Sequence, residues 1–236
     1  MIKFKRYYTA FRRYKRSKGF GIHSPFAFNF VLKVLRERNQ YYAYDNIHAA
    51  HWGATRLATT KESKHILSYK YAKMIFRIAC HFNPTSILQV GTSHGVASKA
   101  LLSVSSSTQL YSYVGVTHNR KIYESTTSDV AHRITKFDDI NEAIASYIAS
   151  LPHDNAPFII INHIDKGNRL IIDTASNAIS QGGIVIVCNI NKNKTIKESW
   201  DEIKSNMPHG MSFSNDKIGV IVGHKHLPLQ HFSLWF

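Results

Sequence analysis

From residue 86 onward, short apolar runs alternate with amphipathic stretches. The runs SILQV (86–90), QLYSYVGV (109–116), RITKF (133–137), FIIIN (158–162) and GGIVIVC (182–188) read as strands. Between and after them, 96–104, 120–131, 140–151, 168–180 and 195–206 carry apolar residues at helical spacing. Strands that are apolar throughout and separated by helices predict a parallel sheet covered on both faces. MSFS (211–214) and IGVIVG (218–223) are joined by too few residues for a crossover helix, so they predict an antiparallel pair. The pattern gives an α/β fold whose mostly parallel, seven-stranded sheet ends in an antiparallel hairpin.

The first part of the chain patterns differently. Ser24-Pro25 reads as a cap and first-turn proline for a helix from about Pro25 to Arg38. Residues 39–60 read as a polar, aromatic link, and a further helix runs from about Ser68 to His81, stopped by Asn83-Pro84. The expected division is an N-terminal basic and aromatic helical extension over 1–60 and an α/β domain over 61–236. Residues 1–18 carry Lys3, Lys5, Arg6, Arg12, Arg13, Lys15, Arg16 and Lys18 and no acid. Phe4, Tyr7 or Tyr8, Phe11 and Tyr14 would line one side of a helix there. Two readings stay open: a surface that meets nucleic acid or an anionic membrane, or a helix docked by its aromatic side with the cations in solvent.

The charge of the whole chain bears on its partners rather than its fold. Lys plus Arg is 30 against 15 for Asp plus Glu, a net +15 with pI about 9.8, and such a field attracts polyanions. No apolar run reaches the roughly 18 residues of a membrane span, and the N-terminus lacks a secretory h-region, so the cytoplasm is the expected location. Cys80 and Cys188 sit in apolar stretches without a CxxC partner and read as buried, reduced thiols.

The chemistry concentrates after the first strand, in QVGTSHG (89–95). Gly91 and Gly95 permit a tight strand-to-helix turn and close approach of a ligand to the backbone, next to free N–H groups of the following helix. Alone, this pattern also fits a tight turn in any α/β protein. Its surroundings resemble a bacterial family of class I S-adenosylmethionine (SAM)-dependent methyltransferases of the O-methyltransferase type. GIHSPFAFNFVLKVL (21–35), WGATR (52–56), YAKMIFRIACHFNPTSILQVGTSHGVAS (71–98), GGIVIVCNINKNKTIKESWDEIK (182–204) and QHFSLWF (230–236) carry the resemblance in order. It implies a Rossmann-like methyltransferase fold, SAM as the small-molecule cofactor, and methyl transfer to an acceptor the sequence does not identify.

Several positions depart from that family. The resemblance implies an acid at the end of the first strand, where Gln89 stands, and one after the second, where the chain reads Gly115-Val116-Thr117. Asn162, followed by His163, replaces the acid ending the fourth strand, and Cys188-Asn189 replaces those ending the fifth. Amides are poor sole ligands for a hard cation, so no metal is expected, although Asp165 lies nearby. The implied cofactor set is Gln89, Gly91, Thr92, Ser93, Gly95, Thr117, Asp138, Asp139 and Asn162. Asp138 or Asp139 would face the adenine; the other reading of that pair is a helix cap for 140–151. His163 or His94 is the candidate general base; His118 also falls at a strand end, and His224, His226 and His231 cluster only loosely. The rival to an enzyme is a catalytically inactive binding module that keeps the fold and uses its basic N-terminus to hold nucleic acid, anionic lipid or a protein partner.

Overall fold

The computed structural model describes residues 13–15, 17–115, 120–152, 154–164, 168–192 and 194–236. Its strands are β1 (Ser86–Val90), β2 (Gln109–Tyr113), β3 (Ile134–Phe137), β4 (Phe158–Ile161), β5 (Ile184–Cys188), β6 (Met211–Ser214), β7 (Ile218–Val222) and β8 (Gln230–Ser233). They form one sheet in the order β3-β2-β1-β4-β5-β7-β6-β8. The first five pair in parallel, β7 runs antiparallel to both β5 and β6, and β8 pairs in parallel with β6. The apolar runs therefore sit where their pattern put them, β1 between β2 and β4, with β8 as an eighth strand beyond the seven expected. Parallel neighbours are covered by crossover helices on both faces, and this is why β1, β4 and β5 are buried along their whole length.

The helices are α1 (Pro25–Phe30), α2 (Tyr44–Leu57), α3 (Thr60–Ser63), α4 (Tyr69–Phe82), α5 (Val96–Leu102), α6 (Arg120–Thr126), α7 (Ile140–Ser150), α8 (Arg169–Ser180) and α9 (Lys194–Ser205). The Ser24 hydroxyl accepts from the Ala27 N–H and starts α1, with Pro25 in its first turn. The helix continues as a π-helical turn, Val31–Leu35, and stops before Arg38. Its last carbonyls are received by a buried side chain: Arg77 donates to the Val34 and Leu35 oxygens at 2.7 and 3.0 Å and to the Tyr44 hydroxyl at 3.0 Å. A guanidinium with its donors placed in this way is tolerated inside the protein.

The segment 39–60, expected as a link, contains the fourteen-residue helix α2. Tyr44, Ile47, Ala50 and Ala54 form its buried side, and three of them lie in the same apolar cluster as Phe30, Ile75 and the sheet residues Ile87, Ile160 and Ile186. The N-terminal helices thus share a core with the sheet. The described part of the basic N-terminal segment is docked as well. Ser17 is fully buried and its hydroxyl accepts from the Trp235 N–H at 2.6 Å, while Arg13 makes a two-pronged ion pair with Asp216 in the β6–β7 turn. Phe4, Tyr7, Tyr8 and Phe11 lie outside the described residues. Among the described residues, no helix is long and apolar enough to cross a membrane.

Candidate functional site

In a parallel sheet, ligand-binding loops gather at the carboxyl ends of the strands, where the strand order reverses. Here that point lies beside β1, and the loop it carries is Gly91–Gly95. Gly91 and Gly95 have φ of +76° and +87°, and Ser93 and His94 also adopt positive φ. Such backbone suits glycine and is strained for the other two residues, so surrounding contacts must hold the loop.

Those contacts are made by the chain itself. A Cβ on Gly91 would lie 2.9 Å from the His163 Cβ, and one on Gly95 would lie 2.9 Å from the Thr126 Cβ at the end of α6. Thr92, Ser93 and His94 are each at most 3% exposed. The glycines let the loop pack under α6 and against the turn after β4.

Gln89, where the resemblance implies an acid, is fully buried and accepts a 2.7 Å hydrogen bond from the Ser98 hydroxyl on α5. Tyr123 on α6 is also fully buried and donates to Ser112 on β2 at 3.3 Å; burial pushes its pKa up, opposed by hydrogen bonds with Ser112 and Ser98. Gln89, Ser98, Tyr123 and Ser112 thus form a neutral polar network. It contains polar atoms left over: Gln89 Nε2, Thr92 Oγ1 and Asn162 Oδ1 are buried and have no hydrogen-bond partner among the described residues. Asn162 spends its amide on the Gly91 carbonyl at 2.8 Å, tying β4 to the glycine loop.

The remaining candidates lie around this centre. Asp139 caps α7, accepting from the Asn141 and Glu142 N–H groups at 2.7 and 3.0 Å, and these backbone bonds, that of Glu142 first, hold its carboxyl below the usual range. Asp138 is exposed and ion-pairs with Arg120 at 3.7 Å. His163 backs Gly91. His94 is buried; burial lowers its pKa, Glu62 opposes this, and His65 and Lys192 add to it. Thr117, His118 and Asp165 lie outside the described residues. Among the described residues, no three His, Cys, Asp or Glu side chains gather in a way that would hold a metal ion. Cys188 at the end of β5 is buried, which raises its thiol to about 12, and half-buried Cys80 is raised to about 11. Both are therefore unreactive at neutral pH.

The sequence did not single out an open cavity of about 320 Å³ next to this centre, at the ends of β5 and β7. Lys64, Lys192 and Lys217 line it together with Ser68, Tyr71 and Asn189. The three lysines come from positions far apart in the chain; the NKNK run at 191–194 is the one local sign of them.

No family model and no curated protein matches the chain. Solved structures do match its fold. The methyltransferase PaMTH1 of Podospora anserina, bound to S-adenosylhomocysteine (SAH), has a TM-score of 0.57 at 12% identity, over 85% of this chain and 96% of that one. The O-methyltransferase of Bacillus cereus in complex with SAH has 0.55 at 14%, over 82% and 96%. The O-methyltransferase TomG of Streptomyces achromogenes, in complex with SAM and involved in tomaymycin synthesis, has 0.54 at 12%, over 83% and 95%. The chain has the Rossmann-like fold of these methyltransferases.

Proposed function

We propose that this protein is a SAM-dependent methyltransferase-like protein whose cofactor place lies over the Gly91–Gly95 loop. The observation that carries the reading is the central position of β1 and its glycine loop, in a fold shared with SAH- and SAM-bound O-methyltransferases over more than four-fifths of the chain. The orphaned polar atoms fit a polar ligand there. Gln89 Nε2 is a donor, Asn162 Oδ1 an acceptor and Thr92 Oγ1 either, so together they can hold its amino, carboxylate or hydroxyl groups. Gly91, Thr92, Ser93 and Gly95 would bound the ligand, and Asp138 or Asp139 would meet its adenine. When bound, SAM supplies the electrophilic methyl group. The chain would position the acceptor and exclude water. His163 or His94 would take a proton from the acceptor, and burial lowers the pKa of His94, which favours its neutral form. At the loop itself the orphaned partners are two amides and a hydroxyl, and neutral hydrogen bonds are about half as strong as charge-assisted ones, so binding is expected to be weak.

The second reading, a non-catalytic descendant, is favoured by the packing of His163 and Thr126 against the two glycines. Titration of the full chain with SAH in a calorimeter, beside Thr92→Val, separates the two. If the cofactor binds, heat is released and the variant binds more weakly. No heat, with Thr92→Val raising stability by about 1 kcal/mol as an unsatisfied hydroxyl is removed, leaves the inactive reading.

A further inference from the structure

Three cavities follow one another along one side of the molecule and share walls. The first, at the ends of β5 and β7, shares Tyr71 and Lys217 with a second of about 340 Å³. The second shares Lys70, Trp235 and Phe236 with a third of about 470 Å³, reached past Tyr44 and Lys73. Their walls are cationic from end to end: Lys64 and Lys192 in the first, Lys217 and Lys70 at the junctions, Lys73, Arg36 and Arg38 in the third. Among the described residues on these walls the sole acidic side chain is Glu37, and its carboxylate is taken by the Arg38 and Asn39 N–H groups at 2.7 and 2.8 Å.

Some of the cations on this side already have structural work. Arg13 is paired with Asp216, Arg77 is fixed on two carbonyls and a tyrosine hydroxyl, Arg36 donates to the Ser17 carbonyl, and Lys192 donates to the Lys64 carbonyl. Lys64, Lys70, Lys192 and Lys217 are exposed along the cavities. Lys70 is pulled below the usual lysine range by burial and then by repulsion from Lys217 and Arg77, and Lys192 is lowered by burial. An anion laid between Lys70 and Lys217 would offset that repulsion. Aromatic surface accompanies the charge: Trp235 is 58% and Tyr14 46% exposed, and both border the third cavity.

We propose that this basic groove binds single-stranded nucleic acid, its phosphates following the line of lysines and its bases stacking on Trp235 and Tyr14. Cations in a row with interleaved aromatics are what a flexible phosphodiester chain requires, because every base has a face to stack and every linkage a charge. A concave path suits a single strand better than a bilayer, which presents a broad flat surface. A lone phosphate would occupy one cavity and leave the others out. The site is distinct from the glycine loop, and it stands whether or not SAH binds.

The test uses the full chain and a fluorescein-labelled 12-nucleotide single-stranded RNA of mixed sequence, followed by anisotropy from low to high salt. The triple variant Lys70→Gln, Lys192→Gln, Lys217→Gln is compared with Lys33→Gln, Lys121→Gln, Lys225→Gln, which removes the same charge outside the three cavities. Circular dichroism and melting temperature show that each is folded. The groove triple is expected to lower the slope of log affinity against log salt by about 2, at roughly 0.7 per lost contact on a single strand. Trp235→Ala is expected to weaken binding roughly tenfold through lost stacking, and the control triple to change affinity less than twofold. Equal losses from both triples would overturn the proposal, since diffuse charge would then explain the binding. So would binding of phosphatidylserine vesicles or of inorganic pyrophosphate without binding of the RNA.

Discussion

The carboxyl ends of the central strands and the cavities beside β5 and β7 belong to one sheet, yet they are finished in opposite ways. At β1 and β4 the described lining is neutral and closed: Gln89, Ser98, Tyr123 and Ser112 bond among themselves, and Gly91 and Gly95 are pressed against His163 and Thr126. At β5 and β7 the lining is cationic and open, with Lys64, Lys192 and Lys217 around solvent-filled space. A carboxylate that binds a cofactor must be desolvated and therefore needs a partner of its own. The amide of Gln89 carries no such requirement, and the crest packs as a core. The lysines beside it are left without acidic side chains on the same walls, so the ligand chemistry they favour is anionic.

The sharpest way to break the comparison is to enlarge the glycines. Gly91→Val and Gly95→Val each add a branched side chain at positive φ, where an atom of His163 or Thr126 already lies within 3 Å. Left-handed strain and overpacking together should lower stability by about 2–5 kcal/mol, read as a large drop in denaturation midpoint. Unchanged stability with lost SAH binding would mean that the loop is an open cradle.

Placing an acid at position 89 is the next test. Gln89→Glu places a carboxyl in a fully buried position with the Ser98 hydroxyl as its one described donor. Burial raises its pKa in the folded state, so the variant is least affected at low pH and loses stability as pH rises through the unfolded value near 4.3, by about 1–3 kcal/mol at pH 7.5. The measurement is the difference in melting temperature from wild type at pH 4.5 and 7.5. A difference that does not grow with pH would show that the site accepts charge, and SAH binding tighter than wild type would place position 89 at the cofactor.

How far the sequence spoke for itself follows from these same residues. The strands were legible because parallel strands bury both faces and leave unbroken runs such as FIII and IVIVC. Helix α2 was not, because its buried side is Tyr44, Ile47 and two alanines among histidines and asparagines, too small an apolar stripe to stand out. Strand β8 is half exposed and short, and it gains its place by pairing with β6 rather than from any pattern of its own. At the site, the resemblance implied acids at 89, 162, 188 and 189, where the chain carries Gln, Asn, Cys and Asn. What those residues bond to was not legible, since the bond from Ser98 to Gln89 joins a helix to a strand and no spacing rule announces it. The groove is assembled from two groups of lysines, Lys64 to Lys73 and Lys192 to Lys217, that lie more than a hundred residues apart.

Acidification separates the closed crest from the open surface more gently. Burial depresses the pKa of His94, and also of His51, His65, His81, His224 and His231, with burial the leading cause for each. The unfolded chain therefore takes up protons on these groups at a higher pH than the folded one, so stability present above the unfolded value near 6.5 is lost as pH falls through and below it. Melting temperature is expected to fall between pH 7.5 and 5.5. His94 is the most buried of the six, so His94→Gln should flatten that fall more than His231→Gln. Equal flattening would place the effect on the surface rather than at the crest.

The smallest effect belongs to the groove and has the opposite sign. Lys70 is exposed, is lowered by burial and by repulsion from Lys217 and Arg77, and approaches no carboxylate among its described contacts; its ammonium lies 5.6 Å from the centre of the Tyr71 ring. Its charge is therefore a liability to the folded state in the absence of a ligand. Its removal in Lys70→Gln should leave stability unchanged or raise it by a few tenths of a kcal/mol, the usual range for exposed charges. Added salt screens repulsion between exposed charges over about 10 Å at 0.1 M. The gain should therefore be largest at low ionic strength and vanish by about 0.5 M, while wild type itself becomes more stable as salt rises. A destabilised Lys70→Gln at low salt would mean that the lysine already has a partner within the fold, and the groove would then lose one of the cations that distinguish it from the crest.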